Sequence, residues 1–286
     1  MLILLAPAKL NLTLEVLTKR PDGFHEISSL IQTINLGDRI ELELSQNIEF
    51  KSGSSDWVAE ESLVYKAVDL VQKATECTKG AIIEIDKYIP LMSGLGGDSS
   101  DAAAILRGLN ELWELGLSLE ELIRLASSLG SDVAFFLYGG TALVGGRGEV
   151  VTPMSPYPHM WVVVLVPPVP RLLGKTGQLY ASLKDSHYTD GEITERVVSE
   201  LKEGREPSVL SNAFENVAFD NFSGLMYCWQ RFVAAGAHQV HLAGSGPTLF
   251  TLVKESVQAA RIYVKLQKQG VESYLAETLA AADYME

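Results

Sequence analysis

Three glycines lie within four residues in the segment Pro90–Ala104, and an aspartate and two serines follow at once. Glycine allows positive φ angles and a close approach of the backbone, so successive N–H groups can point into one concavity that an anion could fill. From Asp98 the pattern becomes helical, and Ser99 or Ser100 suits the N-cap of that helix. A phosphate at this point would meet free N–H groups and the positive end of the helix dipole. The segment therefore predicts a phosphate-binding loop that leads into a helix.

The wider motif is more specific than the glycines alone. No Gly-Lys-Ser/Thr follows them, as a Walker-type P-loop requires, and the spacing differs from Gly-x-Gly-x-x-Gly. A bare Gly-Leu-Gly-Gly would be equally typical of an ordinary turn that caps a helix. The whole segment resembles the signature Pro-x-x-x-Gly-Leu-Gly-Ser/Gly-Ser-Ser-Asp/Asn-Ala-Ala of the GHMP kinases, although Asp98 takes a position usually held by a small residue. The resemblance implies that ATP is bound by Pro90, Leu91, Met92, Ser93, Gly94, Leu95, Gly96, Gly97, Asp98, Ser99 and Ser100.

Two further segments match GHMP motifs in the order of that family. Lys9 and Asn11 lie between apolar residues of a predicted strand, where an isolated lysine usually just faces solvent. Their segment resembles the first motif, Pro-x-Lys-x-Asn-Leu, which implies that Lys9 lies beside the bound phosphates and Asn11 near the acceptor. A second glycine-rich turn would by itself suit a hairpin, but it resembles the third motif, a loop that faces the acceptor. There the resemblance implies substrate binding by Gly244, Ser245 and Gly246.

Asp132 lies where a helical pattern ends, a position typical of a helix cap or a turn. The segment Gly130-Ser131-Asp132-Val133 resembles the GHMP segment Gly-x-Asp-Val/Ile, whose aspartate accepts a proton from the substrate hydroxyl. A carboxylate near a cationic lysine stays ionised, because the opposite charge lowers its pKa, and it can orient or deprotonate an alcohol. We therefore expect Asp132 to be the catalytic base and to be paired with the catalytic Lys9.

Acceptor specificity must come from other residues, because phosphoryl transfer depends mainly on positioning and charge neutralisation. Phe24 and His25 follow a Pro-Asp-Gly turn at the start of a predicted strand. An aromatic face and a histidine edge can stack on a nucleobase and hydrogen bond to it, although both residues also suit ordinary packing. The run Arg-x-Asp-Gly-Phe/Tyr-His resembles the family of 4-diphosphocytidyl-2-C-methyl-D-erythritol kinases. That resemblance implies that Phe24 stacks on cytosine and that His25 recognises its polar edge.

A segment in the second half of the chain resembles the Ser-Thr-x-x-x-Tyr segment of the same family. It reads Lys175-Thr176-Gly-Gln-Leu-Tyr180 here, so Lys175 replaces the serine. The resemblance implies that Thr176 still faces the diphosphate of the substrate.

The composition excludes several classes of protein. The 286 residues carry a formal net charge of −13, which argues against a nucleic-acid partner or an anionic membrane surface, since both need clustered Lys and Arg. The longest apolar run, 161–166, is far shorter than the roughly 20 residues that span a bilayer. The first residues lack the basic region of a secretory signal, and two cysteines in apolar helical patterns make neither a disulfide framework nor a zinc site. Cytoplasmic residence is the default expectation.

The chain alternates strand-like and helical runs, which is typical of α/β or α+β proteins. Separate strands are expected at 27–35 and 38–44, and one helix over 214–234. The resemblance implies an α+β, two-lobed GHMP kinase fold. Its N-terminal, ribosomal-S5-like, ATP-binding lobe would be 1–155, and its C-terminal, ferredoxin-like α/β sandwich lobe would be 156–286.

Together these resemblances imply transfer of the γ-phosphoryl group of ATP to the 2-hydroxyl of the methylerythritol part of a cytidine diphospho-polyol. The reaction would be a step in the non-mevalonate route to isoprenoid precursors. Mg2+ is expected because two anions must approach each other, and its ligands stay open among Asp98, Ser99 and Asp101. The role of Asp98 also stays open, since it suits either a metal or a helix cap.

Two alternatives and the oligomeric state stay open. Another GHMP kinase, for homoserine or mevalonate, would not need the pair Phe24 and His25. A non-catalytic sensor of ATP and a small ligand on the same fold would not need Lys9 and Asp132. The presence of both residues favours an enzyme.

Overall fold

The computed structural model describes residues 1–170, 172 and 174–281. In these residues the strands are β1 (Leu2–Asn11), β2 (Thr13–Lys19), β3 (His25–Ser45), β4 (Ile48–Ser52), β5 (Gly80–Asp86), β6 (Thr141–Gly145), β7 (Val150–Pro153), β8 (Trp161–Leu165), β9 (Ser211–Asn212), β10 (His241–Leu242), β11 (Leu249–Val253) and β12 (Ser273–Glu277). The α-helices are α1 (Leu63–Thr75), α2 (Gly97–Leu112), α3 (Leu119–Leu129), α4 (Val133–Tyr138), α5 (Lys175–Ser182), α6 (Glu192–Lys202), α7 (Glu215–Asn221), α8 (Leu225–Ala235) and α9 (Ser256–Lys268). This mixture of strands and helices confirms the α+β class.

The chain forms two compact units, and each unit combines segments that are distant in sequence. The first consists of Met1–Ala8, Gly37–Leu91 and Gly96–Gly139, and the second of Lys9–Leu36, Met92–Leu95 and Gly140–Glu286. Strands β1 and β3 and the glycine-rich segment therefore have residues in both units. The single boundary at 155/156 stays a prediction about domains, and these compact units follow a different division.

In the first unit, strand β5 lies between two partners. It pairs antiparallel with residues 39–45 of β3 and parallel with β4. Helix α2 contacts α1, α3 and α4. Its apolar stripe is buried, and a Cβ added to Gly108 would collide with the side chain of Leu42 on β3, so α2 packs directly on the sheet. The burial of this stripe holds the start of α2, where phosphate binding is predicted, on a rigid element.

In the second unit, β8, β10, β11 and β12 form an antiparallel sheet in the order β10-β11-β8-β12. With the helices between β8 and β10 and with α9 between β11 and β12, the chain order is β-α-β-β-α-β, the ferredoxin-like arrangement. The apolar faces of α7, α8 and α9 share one buried core with this sheet. The expected ferredoxin-like lobe is thus present.

A second set of strands in the same unit carries the amino-terminal motifs. β2 pairs antiparallel with the first residues of β3 and parallel with β9, and residues 29–32 of β3 pair antiparallel with β6. β6 also pairs antiparallel with β7. The turn that carries Phe24 is therefore the hairpin between β2 and β3.

Two details of the expected elements are wrong. The strands at 27–35 and 38–44 are one strand, β3, because the backbone remains extended through Leu36 and Gly37. The helix over 214–234 is two helices, and the chain turns between them at Gly224, whose φ of 88° lies in the left-handed region that favours glycine. No helix within the described ranges is long and apolar enough to cross a membrane. The location of the protein in the cell stays a prediction.

Candidate active site

The loop 92–95 is enclosed by other segments of the second unit. The backbone N–H of Lys9 donates to Leu95 O at 2.9 Å, and Thr248 N donates to Ser93 O at 3.3 Å. A Cβ on Gly94 would collide with Ala243 O and would lie 2.9 Å from Gly246 O. Only glycine fits there, so the loop 92–95 and the third motif touch along their backbones.

The candidate side chains of the first motif lie at the end of β1. Lys9 and Asn11 are buried, and Lys9 Nζ donates to Asn11 Oδ1 at 2.7 Å. The amide of Asn11 in turn donates to Ser29 Oγ at 2.8 Å, which fixes its orientation. A Cβ on Gly244 would lie 3.1 Å from Lys9 Nζ, so the backbone of the third motif approaches this ammonium closely. The structure thus brings Lys9, Asn11 and Gly244 together.

Hydrogen bonds from three sides hold the loop 244–246. Asn212 Nδ2 donates to Leu242 O at 2.9 Å and to Gly244 O at 2.8 Å. Gly246 N donates to Ala243 O at 2.8 Å. The hydroxyl of Ser245 lies 2.9 Å from that of Thr176, which hydrogen bonds α5 to the loop. Thr176 is therefore next to the third motif, in keeping with its expected role near a diphosphate.

Lys175 contacts both glycine-rich loops of the candidate site, although the motifs do not mark it as a site residue. Its Nζ donates to Met92 O at 2.6 Å and to Gly246 O. Burial, together with the charge of Lys9, lowers the pKa of Lys175 to about 8. The replacement of the family serine by lysine is the one feature of the sequence that points to this residue. Its contacts could not be predicted, because they are made to two loops that are distant along the chain.

An aromatic cluster surrounds His25. Its ring stacks on Tyr180 with centroids 4.5 Å apart and an interplanar angle of 8°, and Tyr180 meets Phe214 edge-on at 4.9 Å. The hydroxyl of Tyr188 lies 3.2 Å from His25 Nε2. Burial, and then the charge of Lys19, lowers the pKa of His25, so the imidazole is neutral at pH 7. Tyr188 is not predictable from the sequence, because nothing near it along the chain marks it.

Phe24 lies at the surface beside this cluster and is 54% exposed. The guanidinium of Arg147 lies over its ring, 4.8 Å from the centroid. The hairpin turn is closed by a hydrogen bond from Arg20 N to Phe24 O at 2.8 Å, and Asp22 Oδ1 accepts from Phe24 N at 3.0 Å. The turn therefore presents an aromatic face to solvent on a fixed backbone, which a packed core residue would not do.

In the first unit, α2 begins one turn earlier than expected. Gly96 is its N-cap, with φ of 79°, and Ser100 N donates to Gly96 O at 2.9 Å. The expectation that Ser99 or Ser100 is the N-cap is wrong, because both lie within the first turn. Glycine can adopt the left-handed conformation that the chain needs here, and it leaves the N–H groups at the helix start without a side-chain cap.

The open question about Asp98 has a structural answer. Asp98 is exposed, and its two oxygens accept from Leu63 N at 3.1 and 3.2 Å. Leu63 is the first residue of α1, so Asp98 provides an acceptor for a free N–H group at the start of a neighbouring helix. It links α2 to α1.

A buried cluster of charged residues lies next to the start of α2, and no motif in the sequence indicates it. Lys87 Nζ donates to Asp38 Oδ2 and, at 2.6 Å, to Asp101 Oδ2. Asp38 Oδ1 also accepts from the backbone N–H groups of Tyr88 and Ile89. Burial would lower the pKa of Lys87, but the two carboxylates raise it overall, whereas burial raises the pKa of Asp101 well above its ordinary value. The cluster anchors α2 to β3 and to the chain after β5.

Asp132 directly precedes α4, and its side chain makes no capping hydrogen bond to that helix. Helix capping therefore does not account for this aspartate. Its role as base and its pairing with Lys9 stay predictions.

Comparison with known proteins agrees with this geometry. Family models match the chain as "GHMP kinases N terminal domain" at residues 62–140 and as "GHMP kinases C terminal" at residues 197–272. The 4-diphosphocytidyl-2-C-methyl-D-erythritol kinase of Dehalococcoides mccartyi is 48% identical over 99% of this chain and 100% of its own.

Solved structures show the same relationship. A crystal structure of 4-(cytidine 5'-diphospho)-2C-methyl-D-erythritol kinase is 31% identical, with a TM-score of 0.83 over 97% of this chain and 99% of that one. Homoserine kinase from Cytophaga hutchinsonii shares the fold at a TM-score of 0.71 and 18% identity over 97% of this chain and 94% of its own. The resemblances drawn from the motifs are thereby confirmed, and this chain belongs to the family of 4-diphosphocytidyl-2-C-methyl-D-erythritol kinases within the GHMP kinases.

Proposed function

We propose that the protein transfers the γ-phosphoryl group of ATP to the 2-hydroxyl of 4-diphosphocytidyl-2-C-methyl-D-erythritol, the compound for which its relatives are named. ATP as the phosphoryl donor follows from membership of the GHMP kinases. The reaction is a step in the non-mevalonate supply of isoprenoid precursors, and its partners are the two small-molecule substrates.

The observation that carries the acceptor assignment is the position of α5. Thr176 on this helix is hydrogen bonded to the loop 244–246 of the third motif, and one turn later Tyr180 stacks on His25. Residues four apart lie on the same face of a helix. One helix face therefore connects a polar, glycine-rich site with an aromatic cluster, which suits a nucleoside diphosphate whose base and phosphates bind at the two ends. Homoserine and mevalonate carry no nucleobase that could bind at the aromatic cluster around His25.

Each residue then has a chemical role. Lys9 holds phosphate charge at the end of β1, and Asn11 orients the acceptor beside it. Asp132 accepts the proton of the attacking hydroxyl, the usual task of an ionised carboxylate in such a reaction. The N–H groups at the start of α2 and in the glycine loop bind the phosphates of ATP, with the helix dipole adding to the attraction.

The residues at the start of α2 fit a Mg2+ ion carried by the nucleotide. No group of three or more His, Cys, Asp or Glu side chains in the described part of the chain could hold a metal, and Mg2+ usually binds through one or two protein ligands and the substrate phosphates. Of the three candidates, Ser99 is the side chain that would hold it, because the carboxylate of Asp101 is buried against Lys87 and both oxygens of Asp98 accept from Leu63 N. When bound, Mg2+ neutralises charge on the transferred phosphoryl group.

The test is ADP release with ATP, Mg2+ and one acceptor at a time: the cytidine diphospho-methylerythritol, homoserine, mevalonate or galactose. Turnover is expected with the cytidine compound alone. The Phe24→Ala/His25→Ala variant should lose turnover on it, mainly through a higher KM, whereas Tyr227→Ala, an exposed aromatic elsewhere, should match the unmodified enzyme. Turnover with a different acceptor, or full activity of the double variant, would contradict the assignment.

A further inference from the structure

Lys175 connects two motifs that the sequence separates by about half the chain. It is the first residue of α5, and its ammonium donates to the carbonyls of Met92 and Gly246. Met92 belongs to the predicted ATP-binding segment Pro90–Ala104, and Gly246 belongs to the third motif. An ammonium has three donors and can hold both carbonyls at once, whereas the serine of the family segment has a single donor on a short side chain.

The backbone at these carbonyls needs such support. Met92 has a φ of 56°, in the left-handed region that costs energy for a residue with a side chain. Two residues later, the backbone of Gly94 lies so close to the loop 244–246 that a Cβ on it would approach Gly246 O to 2.9 Å. The two carbonyl oxygens carry partial charge of the same sign and lie near one cation, and that cation offsets their mutual repulsion.

We propose that Lys175 is a positioning residue for phosphoryl transfer, which holds the loops 92–95 and 244–246 in one arrangement next to Lys9. The proposal rests on the proposed function, since the loop 92–95 is part of the predicted ATP site. Its consequence is that the shape of the predicted ATP loop depends on a titratable side chain, at a position where the family segment has a serine hydroxyl.

The dependence on pH has a definite sign. Lys175 is charged below its pKa of about 8, and its bonds to the carbonyls are then charge-assisted, which makes them about twice as strong as neutral ones. As the pH rises through 8 the charge is lost, and ATP should bind more weakly. Among the residues that the structure describes, Lys9 on β1 is the charged group that acts on Lys175. The loops contribute carbonyls, and the hydroxyls of Thr176 and Ser245 do not titrate in this range.

The test is the affinity for ATP, measured by titration calorimetry with Mg2+ at pH 7 and pH 9. Lys175→Met should weaken ATP binding at pH 7 on the order of tenfold, as for the loss of a hydrogen bond to a charged group. Its ATP affinity should also be the same at pH 7 and pH 9. Lys175→Arg keeps its charge at both values and should remove the weakening at pH 9. Lys265→Met, at an exposed position of α9, is the matched control and should behave as the unmodified protein does.

The proposal is overturned if Lys175→Met binds ATP with unchanged affinity and unchanged dependence on pH. It is also overturned if the ATP affinity of Lys175→Arg falls between pH 7 and pH 9 as much as that of the unmodified protein. This comparison does not depend on the methionine variant, so it still tests the proposal if that variant fails to fold. Because ATP binding is measured without an acceptor, a failure of the cytidine compound to react would contradict the proposed function and leave this result intact.

Discussion

At the scale of single residues, Asp132 is a carboxylate that does not cap the helix after it. If it is the base, Asp132→Asn should leave the KM for both substrates within about threefold and lower kcat by ~10²-fold or more, the scale expected for losing a general base. Initial rates of ADP release measure both constants. Asp69→Asn, an exposed residue of α1, is the control. Unchanged kcat in Asp132→Asn would show that Lys9 and the glycine loop carry the reaction without a base.

His25 provides a second test at this scale, through pH. Burial lowers its pKa below the ordinary 6.5, so the ring is neutral at pH 7 and gains a proton only as the pH falls through the lowered value. The imidazolium has two hydrogen-bond donors and no acceptor, so it can no longer accept a hydrogen bond from the edge of the cytosine. The KM for the cytidine substrate should rise in acid while the KM for ATP stays level. His25→Gln should abolish this rise, and an identical rise in that variant would assign the titration elsewhere.

At the scale of elements, the start of α2 depends on the buried cluster of Lys87, Asp38 and Asp101. Lys87→Met leaves two buried carboxylates without their cation, so it should lower the free energy of unfolding by about 3–5 kcal/mol. Denaturant unfolding at pH 7 measures this loss. Lys73→Met breaks an exposed pair with Asp69 and should cost less than about 1 kcal/mol. Equal losses in the two variants would mean that the buried cluster does not anchor the helix.

The elements also show how far local pattern extends. Helix α3 begins at a local signal, because Ser118 and Glu121 form a capping box at its start. Periodicity predicts a single helix at 214–234, since the apolar pattern continues past the break at Gly224. Such a pattern indicates which face is buried, whereas the break depends on how two helices must turn to pack on the same sheet.

At the scale of the whole molecule, ligand binding should be visible as stability. At 100 times its dissociation constant, ATP adds about 2.7 kcal/mol to a protein that binds it only when folded. Calorimetric scans with Mg2+ should show a higher Tm with ATP than without, and Lys9→Met should reduce the shift. GTP at the same concentration is the comparison for base selectivity. No shift with ATP would contradict nucleotide binding by this fold.

The chemistry of this protein can be predicted from the amino-acid sequence alone. The signals are local patterns: three glycine-rich or lysine-bearing motifs, Asp132 and the Phe24-His25 pair. Local patterns can be recognised in a sequence because the residue types and backbone conformations they need are adjacent along the chain. The α+β class follows for the same reason, from the alternation of strand and helix periods.

Which of these residues meet depends on the packing of the whole fold. Lys175 bonds to carbonyls 83 and 71 positions away, and His25 bonds to Tyr188, 163 positions away. Asp98 accepts a hydrogen bond from the first residue of a neighbouring helix, and Lys87 bonds to two carboxylates that no motif connects. Such pairs form when whole elements pack to bury their apolar faces, and burial depends on the summed surface of many residues, so no single segment of sequence specifies them.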